Sequence, residues 1–397
     1  MEDVKSKKSR RRLISNIIFM ILLTILVVIL ILSLGEINQI VEKFNEIANG
    51  NNWIWLIIAI GLALAYFLLW PLSQVIFGKA LKIKATGMES YLIGCSEHFY
   101  NGVTPFAAGG QPFQIYSFTK RRVTTANATG VVLTSFVTFM MVTNAFAIAS
   151  LIFYGKIAQG LETLNLGWLQ YIAIVGFVIN FAVLLFMIAM GTSKHLRNGF
   201  VRLMDKLANA KMFHKEYKRK WANKFFNKIG VALLNGKPKF EEYCDNAQIA
   251  FKQTWTHKRA TACAILIKII AMACYYAIPF FILRAVGINT LELNAYNIVL
   301  VLFCTSFAIT SVVWMPTPGG VGGIEYAFMI VIAAATGLDS GAGAVALIWR
   351  MITFYFIIIL SFIANAIFEA VSSRKMALEQ KESSISDETQ VEETEQD

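Results

Sequence analysis

Long apolar stretches alternate with short polar ones along most of the chain. A helix of about 20 apolar residues crosses a hydrocarbon core of ~30 Å, so each long run predicts a membrane-spanning helix. Such runs lie at 13–34, 53–77, 125–154, 168–190, 260–283, 296–313 and 342–370, and a shorter one lies at 324–336. The pattern predicts an all-α, polytopic membrane helix bundle of about eight transmembrane helices.

Two segments concentrate the turn-forming residues of this apolar chain. The first, NGVTPFAAGGQPFQIYSFTKRR, covers 101–122, and the second, MPTPGGVGGIEYAF, covers 315–328. Glycine allows close approach and positive φ, whereas proline removes a backbone donor. One Gly/Pro interruption in each half of a multi-helix chain indicates a transporter site built from broken helices, and it is compatible with an inverted repeat. The interrupting residues are Pro105, Gly109, Gly110, Pro112, Pro316, Pro318, Gly319, Gly320, Gly322 and Gly323.

The net charge of +11 is unevenly distributed and orients the chain. Basic residues precede the first apolar run, follow the second and precede the third, and the segment 192–259 holds sixteen Lys and Arg against five Asp and Glu. The positive-inside rule makes all of these segments cytoplasmic, and the loops at 35–52, 156–167 and 286–295 external.

This orientation puts Lys84 and Lys120 on the same side, although a largely apolar stretch lies between them. The chain must therefore cross an even number of times there or not at all. A re-entrant hairpin fits best, in which the chain enters from the cytoplasm, breaks near 104–112 and returns. Irregular backbone at membrane depth survives only where protein or a water-filled cavity satisfies it, so the break should line a cavity. For the second segment, a plain turn between two helices is the alternative to a break inside the membrane.

The same features divide the chain into five parts. They are a basic cytoplasmic N-terminus (1–12), a first transmembrane half (13–191, re-entrant motif 95–119), a basic cytoplasmic amphipathic region (192–259), a second half (260–373) and an acidic disordered tail (374–397). The run at 13–34 is too long for a signal peptide and is expected to be an uncleaved anchor. The basic region either lies on anionic lipid or caps the helix ends. No nucleic-acid motif accompanies its charge, and the scattered cysteines indicate neither disulfides nor zinc.

Charged residues within apolar runs are costly and need a reason. Glu325 follows the second motif, and Arg350 lies inside the last run, so we expect the two to pair beside an interior cavity. The pair either holds helices together or binds a lipid phosphate through Arg350. Glu97 and His98, at the start of the first hairpin, form either a proton relay or an ordinary polar contact. Lys268 should snorkel or pair locally.

At these residues the sequence resembles the transmembrane region of lysylphosphatidylglycerol synthase, the flippase-like part of the bacterial multiple peptide resistance factor. The resemblance runs from about residue 9 to 374 and rests on two blocks and a downstream arginine. The blocks are Asn101 with Thr104-Pro105 and Gly109-Gly110-Gln111-Pro112, and Pro316-Thr317-Pro318-Gly319-Gly320-Val321-Gly322-Gly323-Ile324-Glu325. Many members of the family carry an acidic residue after the first glycine pair, where this chain has Gln111 followed by Pro112.

The resemblance implies a bacterial cell membrane protein that moves phospholipid or aminoacylated phospholipid. We expect a head-group cavity between the motifs, with hydrogen bonds from Asn101, Thr104, Gln111 and Gln114 and charge from Glu325 and Arg350. No cofactor or nucleotide motif is expected. Full-length relatives carry a soluble lysyl-transferring domain, for which neither the basic region nor the tail has room. A lipid translocase is therefore favoured over a phosphatidylglycerol lysyltransferase involved in cationic peptide resistance, and over a scaffold for a separate lipid synthase.

Overall fold

A computed structural model describes residues 52–104, 106–196, 255–288, 291–338 and 341–372, together with Asn45, Ile47 and separate positions between 198 and 253. Within these residues the protein is a bundle of α-helices without strands, as predicted. The anchor at 13–34, the N-terminus, Pro105, most of the basic region and the acidic tail lie outside the described residues. The inverted repeat stays a prediction.

The helices follow the predicted apolar runs closely. They are α1 (Trp53–Leu69), α2 (Leu72–Ala80), α3 (Gly87–Cys95), α4 (Glu97–Val103), α5 (Gly110–Lys120), α6 (Thr125–Ser150), α7 (Tyr154–Thr163), α8 (Leu169–Thr192), α9 (Lys258–Ala285), α10 (Ala295–Val312), α11 (Gly323–Thr336) and α12 (Ala342–Ser372). In the part of the chain that the structure describes, six units are long and apolar enough to cross a membrane, namely α1–α2, α6–α7, α8, α9, α10 and α12. The shorter apolar helix is α11. The predicted multi-pass bundle is therefore confirmed over the described residues.

The first broken segment folds as a helical hairpin. Helices α3 and α4 lead to an irregular stretch at 104–109, and α5 packs back against both helices. At the base, Arg121 Nη2 lies 2.7 Å from Glu89 Oε1, and both side chains are buried. Glu89 also accepts the Thr86 N–H at 2.8 Å, which caps α3. Because one carboxylate joins both ends, the chain leaves and re-enters at neighbouring points, as a re-entrant hairpin requires.

The break ends earlier than the sequence pattern predicts. Pro112 is the third residue of α5 and not part of the irregular stretch. The first turn of a helix has no intrahelical acceptor for its N–H groups, so proline costs nothing there. Left-handed backbone in this break belongs to Phe106 (φ 58°) and Ala107 (φ 49°), not to Gly109 or Gly110.

Both breaks lie beside the middle of long helices. Gly176, seven residues into α8, packs so tightly on the end of α10 that an added Cβ would overlap the backbone of Ser311. The segment at 313–322 therefore begins level with the interior of α8 and not at its end. Phe106 and Ala107 share a cavity wall with Leu133 and Phe136, from the middle of α6. This placement favours a break within the membrane over a plain turn at its surface.

A hydroxyl from α12 holds the hairpin in place. The fully buried Ser361 donates to the Cys95 carbonyl at 2.6 Å and accepts the Phe99 N–H at 2.9 Å. These are the two groups that an uninterrupted helix would join directly. The Ser361 hydroxyl therefore completes the hydrogen bonding where α3 passes into α4.

The α8–α10 crossing should be intolerant of a single methyl group. We expect Gly176→Ala to lower the free energy of unfolding by about 1–3 kcal/mol, the usual cost of overpacking, because the contacting atoms are backbone. Gly61→Ala is the matched control, since Gly61 also lies in a spanning helix but an added Cβ there would meet no atom within 4 Å. Thermal unfolding in detergent should show a lower midpoint for the first variant only. Equal midpoints would contradict the crossing.

The hairpin predicts that residues on both sides of it face the same compartment. In a cysteine-free background, Lys84→Cys and Thr125→Cys should react with a membrane-impermeant maleimide from the cytoplasmic side only. Glu162→Cys, near the end of α7 in the segment that the sequence predicts as an external loop, should react only from the external side. All three positions are exposed. Labelling of Lys84→Cys and Thr125→Cys from opposite sides would show that 87–120 crosses the membrane an odd number of times.

Candidate functional site

A buried ion pair joins the second broken segment to α12. Arg350 Nε lies 2.6 Å from Glu325 Oε1, and the side chains are 3% and 1% exposed. The other carboxylate oxygen accepts the Gly322 N–H at 2.7 Å, while Arg350 Nη2 donates to the Gly319 carbonyl. The two charges thus neutralise each other and also satisfy two polar groups of an irregular backbone.

The second segment needs its glycines for shape. Gly319, Gly320 and Gly322 have φ values of 60°, 70° and 90°, which side-chain-bearing residues rarely adopt. At Gly319 an added Cβ would overlap the Phe354 ring and would lie 3.3 Å from the Gly102 carbonyl oxygen of the first hairpin. The two broken segments therefore meet at this residue. Phe354 also stacks under the Arg350 guanidinium, 4.0 Å from its carbon, within a π-helical turn (Met351–Tyr355).

Two predicted site residues close the first break. Thr104 Oγ1 donates to the Tyr100 carbonyl at 2.7 Å and accepts the Gly109 N–H at 2.9 Å. Asn101 Oδ1 accepts the Gly110 N–H at 2.8 Å. These bonds cap α5 from within the chain. Thr104 lines neither of the two cavities between the broken segments, whereas Asn101 lines both.

Glu97 is the buried carboxylate of the first hairpin. It accepts hydrogen bonds from Trp70 Nε1 at 2.8 Å and from Gln111 Nε2 and Gln114 Nε2, both at 3.2 Å. All three donors are neutral, and no cation of the described residues lies within ion-pair distance of Glu97, so its negative charge is stabilised by dipoles. Gln114 is committed to this bond, whereas Gln111 also lines a cavity.

Lys268 does not snorkel, contrary to one of the two sequence expectations. It is fully buried in α9, donates to the Trp70 carbonyl at 3.1 Å and lies 3.4 Å above the Trp70 ring. Local pairing, the other expectation, describes it. Trp70 thus stands between Glu97 and Lys268 and contacts both.

A cavity of about 180 Å³ lies between the two broken segments. His98, Asn101 and Phe106 line it from the first segment, and Thr317, Gly319 and Gly320 from the second, with Arg350 from α12. Glu325 lies behind Arg350 and is not part of the wall. His98 Nε2 and Thr317 Oγ1 are buried without a hydrogen-bond partner within the described residues. The cavity therefore offers one guanidinium and two open polar atoms to a ligand.

A second cavity of about 740 Å³ continues from the first, and the two share Tyr66, His98, Asn101, Phe106, Ala107 and Val313. Glu97, Gln111 and Asn180 contribute polar groups, whereas α6 and α8 provide an apolar wall. Glu97 and His98 line this cavity together, but no hydrogen bond joins them in this conformation, so a proton relay stays a prediction. Among the described residues, no cluster of three or more His, Cys, Asp or Glu could hold a metal.

Several residues of the site could not be identified from the sequence. Asn180, Trp70 and Ser361 are single polar or aromatic residues in apolar runs, where such residues are common. Thr317 is recognisable as the residue between two prolines, but its free hydroxyl depends on the folded loop. Of the predicted set, the structure brings Asn101, Gln111, Glu97, His98 and Arg350 to the connected cavities.

Fold and site together define a polytopic helical membrane protein with two broken segments around an interior cavity. The chain belongs to the family described as lysylphosphatidylglycerol synthase TM region, whose model matches residues 17–361. It is 22% identical over 331 residues to a UPF0104 membrane protein of Archaeoglobus fulgidus, covering 80% of this chain and 90% of that relative. It is also 22% identical over 337 residues to a Mycoplasma pneumoniae protein named Uncharacterized protein MG306 homolog, covering 81% of this chain and 78% of the relative.

Breaking the buried Glu325–Arg350 ion pair should lower the stability of the protein, because it leaves a buried charge without a partner. Arg350→Met leaves Glu325 charged and unpaired, which typically costs 3–5 kcal/mol, so we expect a marked fall in the unfolding midpoint. Glu325→Gln/Arg350→Met removes both charges and keeps an acceptor for Gly322, so much of the loss should be recovered. Lys120→Met is the control, because its ion pair with Glu369 is partly exposed and should contribute about 0–1 kcal/mol. A double variant no more stable than Arg350→Met would contradict this account.

Proposed function

We propose that this protein is a lipid translocase in which a phospholipid or aminoacyl-phospholipid head group occupies the cavities between the two broken segments. The single observation that carries the proposal is the connected pair of cavities. Arg350 and Thr317 lie at one end, Glu97, Gln111 and Asn180 lie at the other, and His98 lines both cavities. Membership of a lipid-associated membrane family supports the same class of ligand.

The polar groups that line the smaller cavity suit a phosphate ester. The Arg350 guanidinium presents several N–H donors, of which one is committed to Gly319 and another faces Glu325. Thr317 adds a hydroxyl donor, and His98 adds a ring nitrogen. A head group held there would replace part of its hydration with fixed protein groups, which reduces the cost of moving it through an apolar environment.

The neighbouring helices suit the rest of a lipid. The larger cavity is bordered by Phe136 and Phe139 of α6 and by Ile179 and Val183 of α8. Acyl chains can remain against apolar side chains while the polar head enters.

The proposed translocase has both termini in the cytoplasm and resides in the cell membrane. With no nucleotide motif in the sequence, movement is downhill, ion-coupled or driven by a partner lipid synthase.

The test is translocation by purified protein in liposomes. Fluorescent phosphatidylglycerol, lysyl-phosphatidylglycerol and a glycolipid would be followed by leaflet-selective quenching. The wild type should move at least one lipid. Glu325→Gln/Arg350→Met should lose at least about tenfold in rate, as expected for removing a charge-assisted hydrogen bond to the head group.

Lys120→Met serves as the matched control, since it removes a positive charge from another ion pair of α12 and neither Lys120 nor Glu369 lines the two cavities. Its rate should equal that of the wild type. If well-folded wild-type protein moves none of the three lipids, the translocase proposal is wrong and a scaffold becomes the better interpretation. Equal rates for the double variant and wild type would remove the cavity from the mechanism.

A further inference from the structure

A third concave surface, outside the head-group cavities, is almost wholly apolar. It is a groove of about 490 Å³ between α8, α10 and α11. Its walls include Trp168 and Val175 from the α8 side, Phe307 from α10, and Tyr326 and Ala327 from α11. The one hydroxyl among these walls outside the tyrosines, that of Ser311, is already donated to the Phe307 carbonyl at 2.8 Å. The groove therefore offers burial to an apolar ligand and little to a polar one.

The groove adjoins the head-group cavities through two consecutive residues. Trp314 lines both the groove and the larger cavity, and Met315 lines both the groove and the smaller cavity. Trp314 is held by a hydrogen bond from Nε1 to the Ser311 carbonyl at 2.9 Å. Met315 rests against Gly323, where an added Cβ would overlap its sulfur. A single molecule with a polar and an apolar part can thus occupy the cavity and the groove across these two side chains.

Close helix crossings lie at two points near the groove. Gly176 of α8 meets the Ser311 backbone and Gly160 of α7 meets the Ala334 backbone, so an added Cβ would overlap backbone atoms at both glycines. An extended hydrocarbon chain is thin and needs no hydrogen bonds, which matches the apolar walls of the groove.

We propose that this groove is an acyl-chain site, which holds one hydrocarbon chain of the lipid whose head group lies in the adjoining cavities. This inference rests on the proposed function and adds to it the place where one acyl chain of the lipid lies. The bound lipid straddles Trp314 and Met315, with its polar part beside Arg350 and its chain along α11. The protein then recognises a diacyl lipid as a whole and not only a soluble head group.

Photo-crosslinking of the purified protein in liposomes tests the site directly. One probe is phosphatidylglycerol with a diazirine in the middle of an acyl chain, and the other carries the diazirine on the head group. The chain probe should label peptides covering 168–175 and 323–331, and the head-group probe should label 97–111 and 313–320. Uniform labelling of lipid-facing surfaces by the chain probe would overturn the proposal.

Variants that fill the groove provide the second part of the photo-crosslinking test. Ala327→Trp and Val175→Trp should reduce chain-probe labelling about tenfold, equivalent to losing the burial of about two methylene groups, while head-group labelling persists. Ala182→Trp, on the exposed face of α8 and outside every described cavity, should match the wild type. Gel filtration and unfolding midpoints identify any variant that fails to fold, and the other variant then carries the test.

The outcomes separate the two proposals. Wild-type translocation with unchanged labelling in folded groove variants overturns the acyl-chain site and leaves the translocase intact. No translocation with the expected labelling pattern overturns the translocase and leaves a lipid-binding site. A dimer in gel filtration together with no chain labelling of the groove would show that a second copy covers the groove, which also overturns the acyl-chain site.

Discussion

The Glu325–Arg350 ion pair is the interaction on which the arrangement of the second half depends. An irregular segment inside an apolar bundle exposes amides and carbonyls that neither water nor a helix satisfies. Here one carboxylate takes the Gly322 N–H and one guanidinium takes the Gly319 carbonyl, and the two charges compensate each other. Charges that would be costly alone become the hydrogen-bonding partners that the loop lacks.

The first half closes its break with neutral side chains. Its break is closed by the Thr104 hydroxyl and the Asn101 amide, and the carboxylate of Glu97 is held by three neutral donors. The two segments consequently present different chemistry to the shared cavities. One end offers a guanidinium with open polar atoms around it, and the other offers a carboxylate. A ligand with separated polar groups finds complementary ends, and the apolar walls leave room for the remainder of an amphiphile.

Much of this organisation can be predicted from the sequence, because it follows from how apolar, backbone and charged groups are solvated. Spanning helices follow from hydropathy, broken segments follow from glycine and proline, and the pairing of Glu325 with Arg350 follows from the cost of isolated charge. The roles of Trp70 and Ser361 could not be predicted in this way, because each depends on which helix lies beside it. Lys268 is ambiguous in the sequence for the same reason: whether a lysine reaches the surface or a buried carbonyl depends on the neighbouring helix. Pro112 is predicted in the break but lies in α5, because proline indicates either an interruption or the first turn of a helix.

The Ser361 hydroxyl gives α12 a mechanical role. It bridges the Cys95 carbonyl and the Phe99 N–H, which do not bond to each other. The α3–α4 junction of the hairpin and the C-terminal half of α12 are therefore connected at this point. Arg350, nearer the start of the same helix, is joined to the loop of the other broken segment. Helix α12 is thus attached at one point to the second irregular segment and at another to the α3–α4 junction of the hairpin. A tilt of this helix moves both attachment points together, unless hydrogen bonds are first broken in the interior.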